Sequence, residues 1–347
     1  HGEEIVLEDM IADEDMIVTV SHKGYVKRTA PSTYRAQKRG GKGVRGTKKL
    51  EDENEDFVSQ IFVASTQAYL LVFTSKGKLH WIKVYQLPEA SRTARGRAIV
   101  NMLQLDEGER VSAILPVREF KDDKFVVIAS KQGVIKRVDL MAFSNVRRGG
   151  IIATSLDDGD ELIGAELTEG KSDCIISTQQ GMAIRFSEDQ VRAMGRTARG
   201  VRAVSLEEGD SVVNLVTVPN EGTETNGKDR ALLTVCVNGY GKRTLVSEYR
   251  GQGRGGKGLI DIKTTERNGN VIGMALVDTT DEVMLITTTG NVIRFPIDNV
   301  SLIGRNTQGV RLINLEEGEM VASVARIAEQ GDGEQGDDET ADLTSEE

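Results

Sequence analysis

The chain is poor in the residues that usually carry chemistry. It holds 3 histidines, 2 cysteines and 1 tryptophan in 347 residues. His1, His22 and His80 show no metal-ligand spacing, and no Ser/His/Asp set stands out. Cys174 and Cys236 fall in separate apolar runs, which points to small buried thiols in a reducing compartment rather than a disulfide. Aromatics at 4% leave the core to Val, Ile, Leu and Ala. No apolar run is long enough for a membrane-spanning helix, and no leader pattern of charged start and apolar stretch is present. A cytoplasmic protein with no membrane contact is expected. Because the first residue is His1 rather than Met, the chain reads as a fragment, with His1-Gly2 a cloning remnant.

An excess of basic residues is also missing, since the formal net charge is −10. That total speaks against a nucleic-acid partner, but its distribution does not. Residues 329–347 hold Glu329, Asp332, Glu334, Asp337, Asp338, Glu339, Asp342, Glu346 and Glu347 and no Lys or Arg. Without them the body is close to neutral. Such a tail is expected to be disordered, either competing with a polyanion for basic surface or acting only as a solubilising end.

What the chain has in abundance is glycine, 37 in all, and it is periodic. A turn ending in glycine recurs at Gly24, Gly77, Gly133, Gly181, Gly239 and Gly290. A second glycine follows at Gly43, Gly96, Gly150, Gly200, Gly258 and Gly309, at offsets of 19, 19, 17, 19, 19 and 19 residues. Each repeat opens with a short apolar run, such as Phe125–Ser130 or Val283–Thr287. A second strand of alternating charge follows, such as Val134-Ile135-Lys136-Arg137, which period two reads as one buried and one wet face. Then come a longer loop, a third strand, an acidic turn such as Asp157-Asp158-Gly159-Asp160, and a fourth apolar strand. Val84–Leu87, Leu140–Phe143 and Glu188–Ala193 each suit one short helical turn, and no long helix is expected. Six such units predict an all-β, propeller-like ring of four-stranded antiparallel blades. The blades run approximately over 16–66, 69–117, 124–169, 173–218, 231–277 and 282–328, with 1–15 as a linker and 329–347 as the tail.

The longer loops carry one sign of charge. The first has Arg35, Lys38, Arg39, Lys42 and Arg45, the second Arg92, Arg95 and Arg97, and the third Arg147 and Arg148. The fourth has Arg192, Arg196, Arg199 and Arg202, the fifth Arg250, Arg254 and Lys257, and the sixth Arg305 and Arg311. One basic loop alone is most simply a solvated surface. Six at one repeat position predict a basic rim for a polyanion that follows a curve, and duplex DNA fits. Arginine's planar fork suits phosphate. If each repeat is a simple up-and-down sheet, the acidic turns lie at the opposite end from these loops. The loops hold no recognition helix and few Asn or Gln, so base reading is not expected.

The first loop reads Gln37-Lys38-Arg39-Gly40-Gly41-Lys42-Gly43. It resembles the seven-residue GyrA box, Gln-Arg-Arg-Gly-Gly-Lys-Gly, of the C-terminal domains of DNA gyrase A proteins, with Lys38 in place of Arg. With Tyr34-Arg35-Ala36 and the six repeats, the resemblance covers about residues 5–328. It implies a six-bladed β-pinwheel in which neighbouring blades exchange strands, with the box where the first and last blades meet. It also implies that DNA wraps around the perimeter in a positive sense and is presented to a cleavage core for ATP-dependent negative supercoiling. The implied partners are duplex DNA, the rest of the gyrase A protein, and the gyrase B protein in an A2B2 holoenzyme at the nucleoid. The fragment itself is expected to be monomeric and to have no chemistry and no cofactor, ATP and magnesium being used elsewhere. Gln252–Gly258 is a near-copy of the box.

Two rival readings stand beside this one. One is the corresponding domain of topoisomerase IV, against which the near-intact box weighs. The other is a propeller that binds proteins. Nucleotide binding at Gly41–Gly46 or Gly251–Gly256 needs a following helix, where the pattern predicts a strand. Trp81 is expected to pack between blades rather than stack on bases.

Overall fold

A computed structural model of the chain describes residues 8–21, 23–33, 44–45, 58–219, 224–225 and 228–327. The first strands of the six repeats are Asp15–Ser21, Tyr69–Thr74, Phe125–Ser130, Ser172–Thr178, Ala231–Cys236 and Glu282–Thr287. Their interiors are buried throughout, because each sheet is covered on both faces by its neighbours. The second strands are Tyr25–Thr29, Lys78–Lys83, Val134–Asp139, Met182–Ser187, Tyr240–Leu245 and Asn291–Pro296. A short 3-10 turn follows each, as at Val84–Gln86, Leu140–Phe143 and Glu188–Gln190.

The strands form six four-stranded antiparallel sheets arranged as a ring, which is a β-pinwheel. The order within each sheet differs from a simple meander. The fourth strand pairs with the first, as Leu162–Thr168 does with Phe125–Ser130. The third strand leaves its own repeat and pairs with the second strand of the preceding one. Val201–Arg202 lies on Val134–Ile135, Leu259–Ile260 on Met182–Ala183, and Val310–Arg311 on Tyr240–Gly241. The same shift joins Arg97–Ala98 to the first blade and Ile151–Ile152 to the second. Val44–Arg45 of the first repeat completes the sixth blade against Asn291–Val292, so the exchange runs all the way round.

This arrangement fixes inside and outside. Fourth strands of adjacent blades pack on one another near the axis, as Leu162–Thr168 does on Val212–Pro219. The two-residue third strands form the outer edge. The core lies between blades rather than within one. Leu71 and Phe73 of the second blade pack with Val126 and Ile128 of the third, and Leu233 and Val235 of the fifth with Leu285 and Ile293 of the sixth. Trp81 belongs to this interior framework. Its ring centroid is 5.1 Å from Tyr69 and 5.3 Å from Phe120, and its Nε1 donates to the Phe143 carbonyl at 3.1 Å. Cys174 and Cys236 are free, buried thiols, and burial pushes both up, Cys236 to about 12. Among the described residues, no helix is long and apolar enough to cross a membrane.

Candidate nucleic-acid interface

Because the third strand crosses to the neighbouring blade, each described basic loop is drawn over that neighbour's second strand before it ends on the outer edge. The loop of the fourth repeat meets Arg137 in a parallel bridge at Ala193, and that of the fifth meets Arg185 at Gly251. Gly96, Gly200, Gly258 and Gly309, the last glycines of four of the loops, sit where the two backbones touch. Gly200 has φ +97, and a Cβ there would stand 2.6 Å from the Ile135 carbonyl oxygen, so only glycine lets the loop settle.

The loop arginines divide into those that hold the loop and those that face solvent. Arg196 Nη1 donates to the Ile152 carbonyl at 2.9 Å, Arg254 Nη1 to that of Arg202 at 2.6 Å, and Arg305 Nη1 to that of Ile260 at 2.9 Å. In each case a loop arginine ties down the outer strand contributed by the preceding repeat. Arg92 stands at the same offset from its glycine and is half-buried. Arg147, Arg148, Arg192, Arg202 and Arg250 are exposed, as are Arg95 and Arg97. Arg95 lies over the Tyr25 ring at 3.8 Å, and Arg97 Nη2 reaches the Asn101 carbonyl at 3.4 Å. Arg311 is exposed and donates to the Tyr240 hydroxyl at 2.9 Å.

The acidic turns do not lie at the far end of the blades, as an up-and-down sheet predicts. With the fourth strand paired to the first, each acidic turn among the described residues sits beside the glycine turn of its own repeat. Gln132 N donates to Asp160 Oδ1 at 2.9 Å, and Gln180 N to Asp210 Oδ1 at 2.9 Å. The basic loop of the next repeat arrives at the same corner. Arg199 therefore pairs with Asp157 at 2.6 Å, and Lys257 with Glu207 at 3.2 Å. The Arg199 guanidinium holds the Asp157 carboxyl below the usual carboxylate range.

Period two leaves one cation of each Lys-Arg pair in the second strand on a buried face, and that cation is the lysine. Lys27, Lys136 and Lys242 are only 2%, 1% and 0% exposed. Their ammonium groups gather the carbonyls of the loop above. Lys27 Nζ donates to Ser91 O at 3.0 Å, Arg92 O at 2.7 Å and Ala94 O at 2.7 Å. Lys136 Nζ donates to Ala153 O at 3.0 Å, Arg196 O at 2.5 Å and Ala198 O at 2.8 Å. Lys242 Nζ reaches Thr244 Oγ1 at 2.8 Å, Gly304 O at 3.3 Å and the buried Asp261 Oδ1 at 3.5 Å. The arginines after Lys27 and Lys242 serve the same loops from the other face. Arg28 Nε bonds Leu87 O at 2.9 Å, and Arg243 Nε bonds Val300 O at 2.8 Å. The recurring Lys-Arg pair in the second strand was the available signal for these residues.

Arg35 and the box Gln37, Lys38, Arg39, Gly40, Gly41, Lys42 and Gly43 lie outside the described residues, as does the acidic stretch 329–347. For Arg45 the backbone alone is described, in the strand that closes the ring.

Comparison with known proteins agrees with this architecture. A family model described as "DNA gyrase C-terminal domain, beta-propeller" matches residues 15–65, 68–118, 124–169, 172–219, 232–278 and 281–328. The DNA gyrase A protein of Salmonella typhimurium is 48% identical over 96% of the chain, and that of Escherichia coli 46% over 98%. The chain spans 37% and 39% of the length of these two relatives. A solved gyrase A C-terminal domain superposes with a TM-score of 0.79 at 26% identity, covering 91% of this chain and 100% of that one. The C-terminal domain of a DNA topoisomerase IV, at 24% identity and a TM-score of 0.69, shares the fold. The chain belongs to the DNA gyrase A C-terminal domain family.

Proposed function

We infer that the outer edge of the ring binds duplex DNA without reading its sequence, bends it and wraps it in a positive sense around the perimeter. In the assembled enzyme, with the rest of the gyrase A protein and with the gyrase B protein, the wrap presents a second segment of the same DNA for ATP-dependent negative supercoiling. The chain supplies the binding surface and no chemistry, and needs no cofactor of its own. The observation that carries this reading is the placement of arginine loops along the outer edges of five consecutive blades. Relatives that are DNA gyrase A proteins match 96–98% of the chain, which favours this role over the topoisomerase IV one.

Bending duplex DNA costs about 1–6 kcal/mol per 20–30 bp, so a row of contacts is needed to hold the curve. Each phosphate neutralised releases counterions, and affinity therefore falls steeply with salt. Mobility-shift titrations across DNA lengths test the reading. Affinity is expected to rise with length up to about 100–150 bp, the scale of a nucleosomal wrap, and to fall with a steep log–log salt slope. Binding that ignores both length and salt overturns it.

A further inference from the structure

The six blades are of two kinds, set by the third residue of the second strand. Blades one, three and five carry Lys27, Lys136 and Lys242 there. Blades two, four and six carry His80, Ile184 and Ile293. All six side chains are buried. An unpaired buried ammonium opposes folding, and isoleucine fills the same place in two blades, so the fold does not require the charge. Lys242 has Asp261 beside it. Lys27 and Lys136 have no carboxylate within ion-pair distance among the described residues, and backbone carbonyls are their acceptors.

We propose that Lys27 and Lys136 are positioning residues of the DNA surface, each holding the arginine loop above it by its carbonyls and keeping an uncompensated positive charge beneath the phosphate path. This rests on the DNA-binding reading above. An ammonium has three N–H donors, and three loop or strand carbonyls converge on each, so the charged form is the one that shapes the loop. The loop over Lys136 carries Arg196 and Arg199, and the loop over Lys27 carries Arg92 and Arg95. Asp157 and Asp160 line the small cavity beside Lys136, but Asp157 is paired with Arg199 and Asp160 accepts from the backbone of Gln132 and Glu161.

A consequence is that DNA binding takes up protons. Burial, with a neighbouring arginine as the lesser cause, pushes both lysines down to about 8. Above that pH the free protein loses these protons. A polyanion laid over the loops favours the ammonium and restores them, so affinity falls as pH rises from 7.5 to 9.5. Burial pushes His80 below the usual histidine range, out of this window; Lys242, also lowered by burial, and the chain's amino terminus are common to every variant.

The test is calorimetric titration of this chain with 150-bp DNA in buffers of differing ionisation enthalpy, at pH 7.5, 8.5 and 9.5. The wild type is expected to take up a fraction of a proton per lysine at pH 8.5. Lys27→Met and Lys136→Met are each expected to bind about tenfold more weakly at pH 7.5, the scale of one charged contact. The double variant is expected to lose the uptake, while Lys121→Met, an exposed lysine on an inter-blade connection, keeps both. Wild-type binding without proton uptake, or Lys27 and Lys136 variants that match the wild type in affinity and pH profile, overturns the proposal. If either Met variant fails to fold, Lys27→Arg and Lys136→Arg keep the cation without a proton to exchange in this window, and uptake undiminished in them overturns the proposal. Failure of the wild type to bind DNA at pH 7.5 removes the underlying reading instead.

Discussion

Blades three and four show two ways of seating a basic loop. Over blade three, Gly195-Arg196-Thr197-Ala198-Arg199-Gly200 points two carbonyls down onto Lys136. Over blade four, Gly253-Arg254-Gly255-Gly256-Lys257-Gly258 covers Ile184, which offers no donor. Both loops are held from the side, Thr197 O by Ser155 Oγ at 2.6 Å and Gly255 O by Ser205 Oγ at 2.8 Å, so the anchor that blade three adds is the ammonium. The backbone differs accordingly. Gly255 adopts φ +90, a region that L residues avoid, whereas Thr197 at the same offset does not. The charged centre of blade three thus carries ordinary side chains in the loop above it, whereas the loop over the apolar centre of blade four uses glycine. In the box, Gly40 stands at the offset of Gly255 in sequence, and Val44–Arg45 after it pairs with Asn291–Val292, next to Ile293, as Leu259–Ile260 pairs with Met182–Ala183, next to Ile184.

The sharpest test of the charged centre is at Lys242, the lysine with a buried carboxylate beside it. Lys242→Met strands Asp261, which then keeps Tyr249 and Thr234 as its side-chain donors among the described residues. The variant is expected to lose about 3–5 kcal/mol in denaturant unfolding. A loss no larger than that of Lys136→Met would show that the charge pair contributes nothing.

The loops give a smaller contrast. Gly255→Ala is expected to cost about 1–2 kcal/mol from the φ value alone, because the nearest atom to the added carbon is 3.7 Å away. Thr197→Gly, at the matching place over Lys136, is expected to cost only about 0.5–1 kcal/mol. Equal costs would dissolve the distinction between the two seats.

The smallest effect concerns the acidic corners that both loops share. Asp157→Asn frees Arg199, and Glu207→Gln frees Lys257. Each is expected to raise DNA affinity by at most about threefold at low salt and by nothing measurable at high salt, as befits exposed pairs.

The strands and the ring were legible because glycine and apolar runs recur at fixed offsets. The exchange was not legible from the residues alone. A third strand of two residues, such as Val201–Arg202, has no pattern that names its partner, so only the family resemblance implied it. The acidic turns were misplaced for the same reason, since their position follows from pairing the fourth strand with the first. The rim arginines were found by type and repeat position. Which of them face water was not, because Arg196, Arg254 and Arg305 look like their neighbours in sequence yet bind carbonyls. Alternation puts Lys136 and Arg137 on opposite faces without saying which is buried, and nothing in residue type announces an ammonium buried on three acceptors.

The union of Val44–Arg45 with Asn291–Val292 bears on how the chain matures. During synthesis the first repeat emerges with its outer strand unplaced, and the seat for that strand does not exist until the sixth repeat has been made. At ordinary rates of translation that wait lasts on the order of tens of seconds. Until it ends, the segment beginning at the box has no blade to join, and the nascent circle stays a string of sheets with one vacant edge.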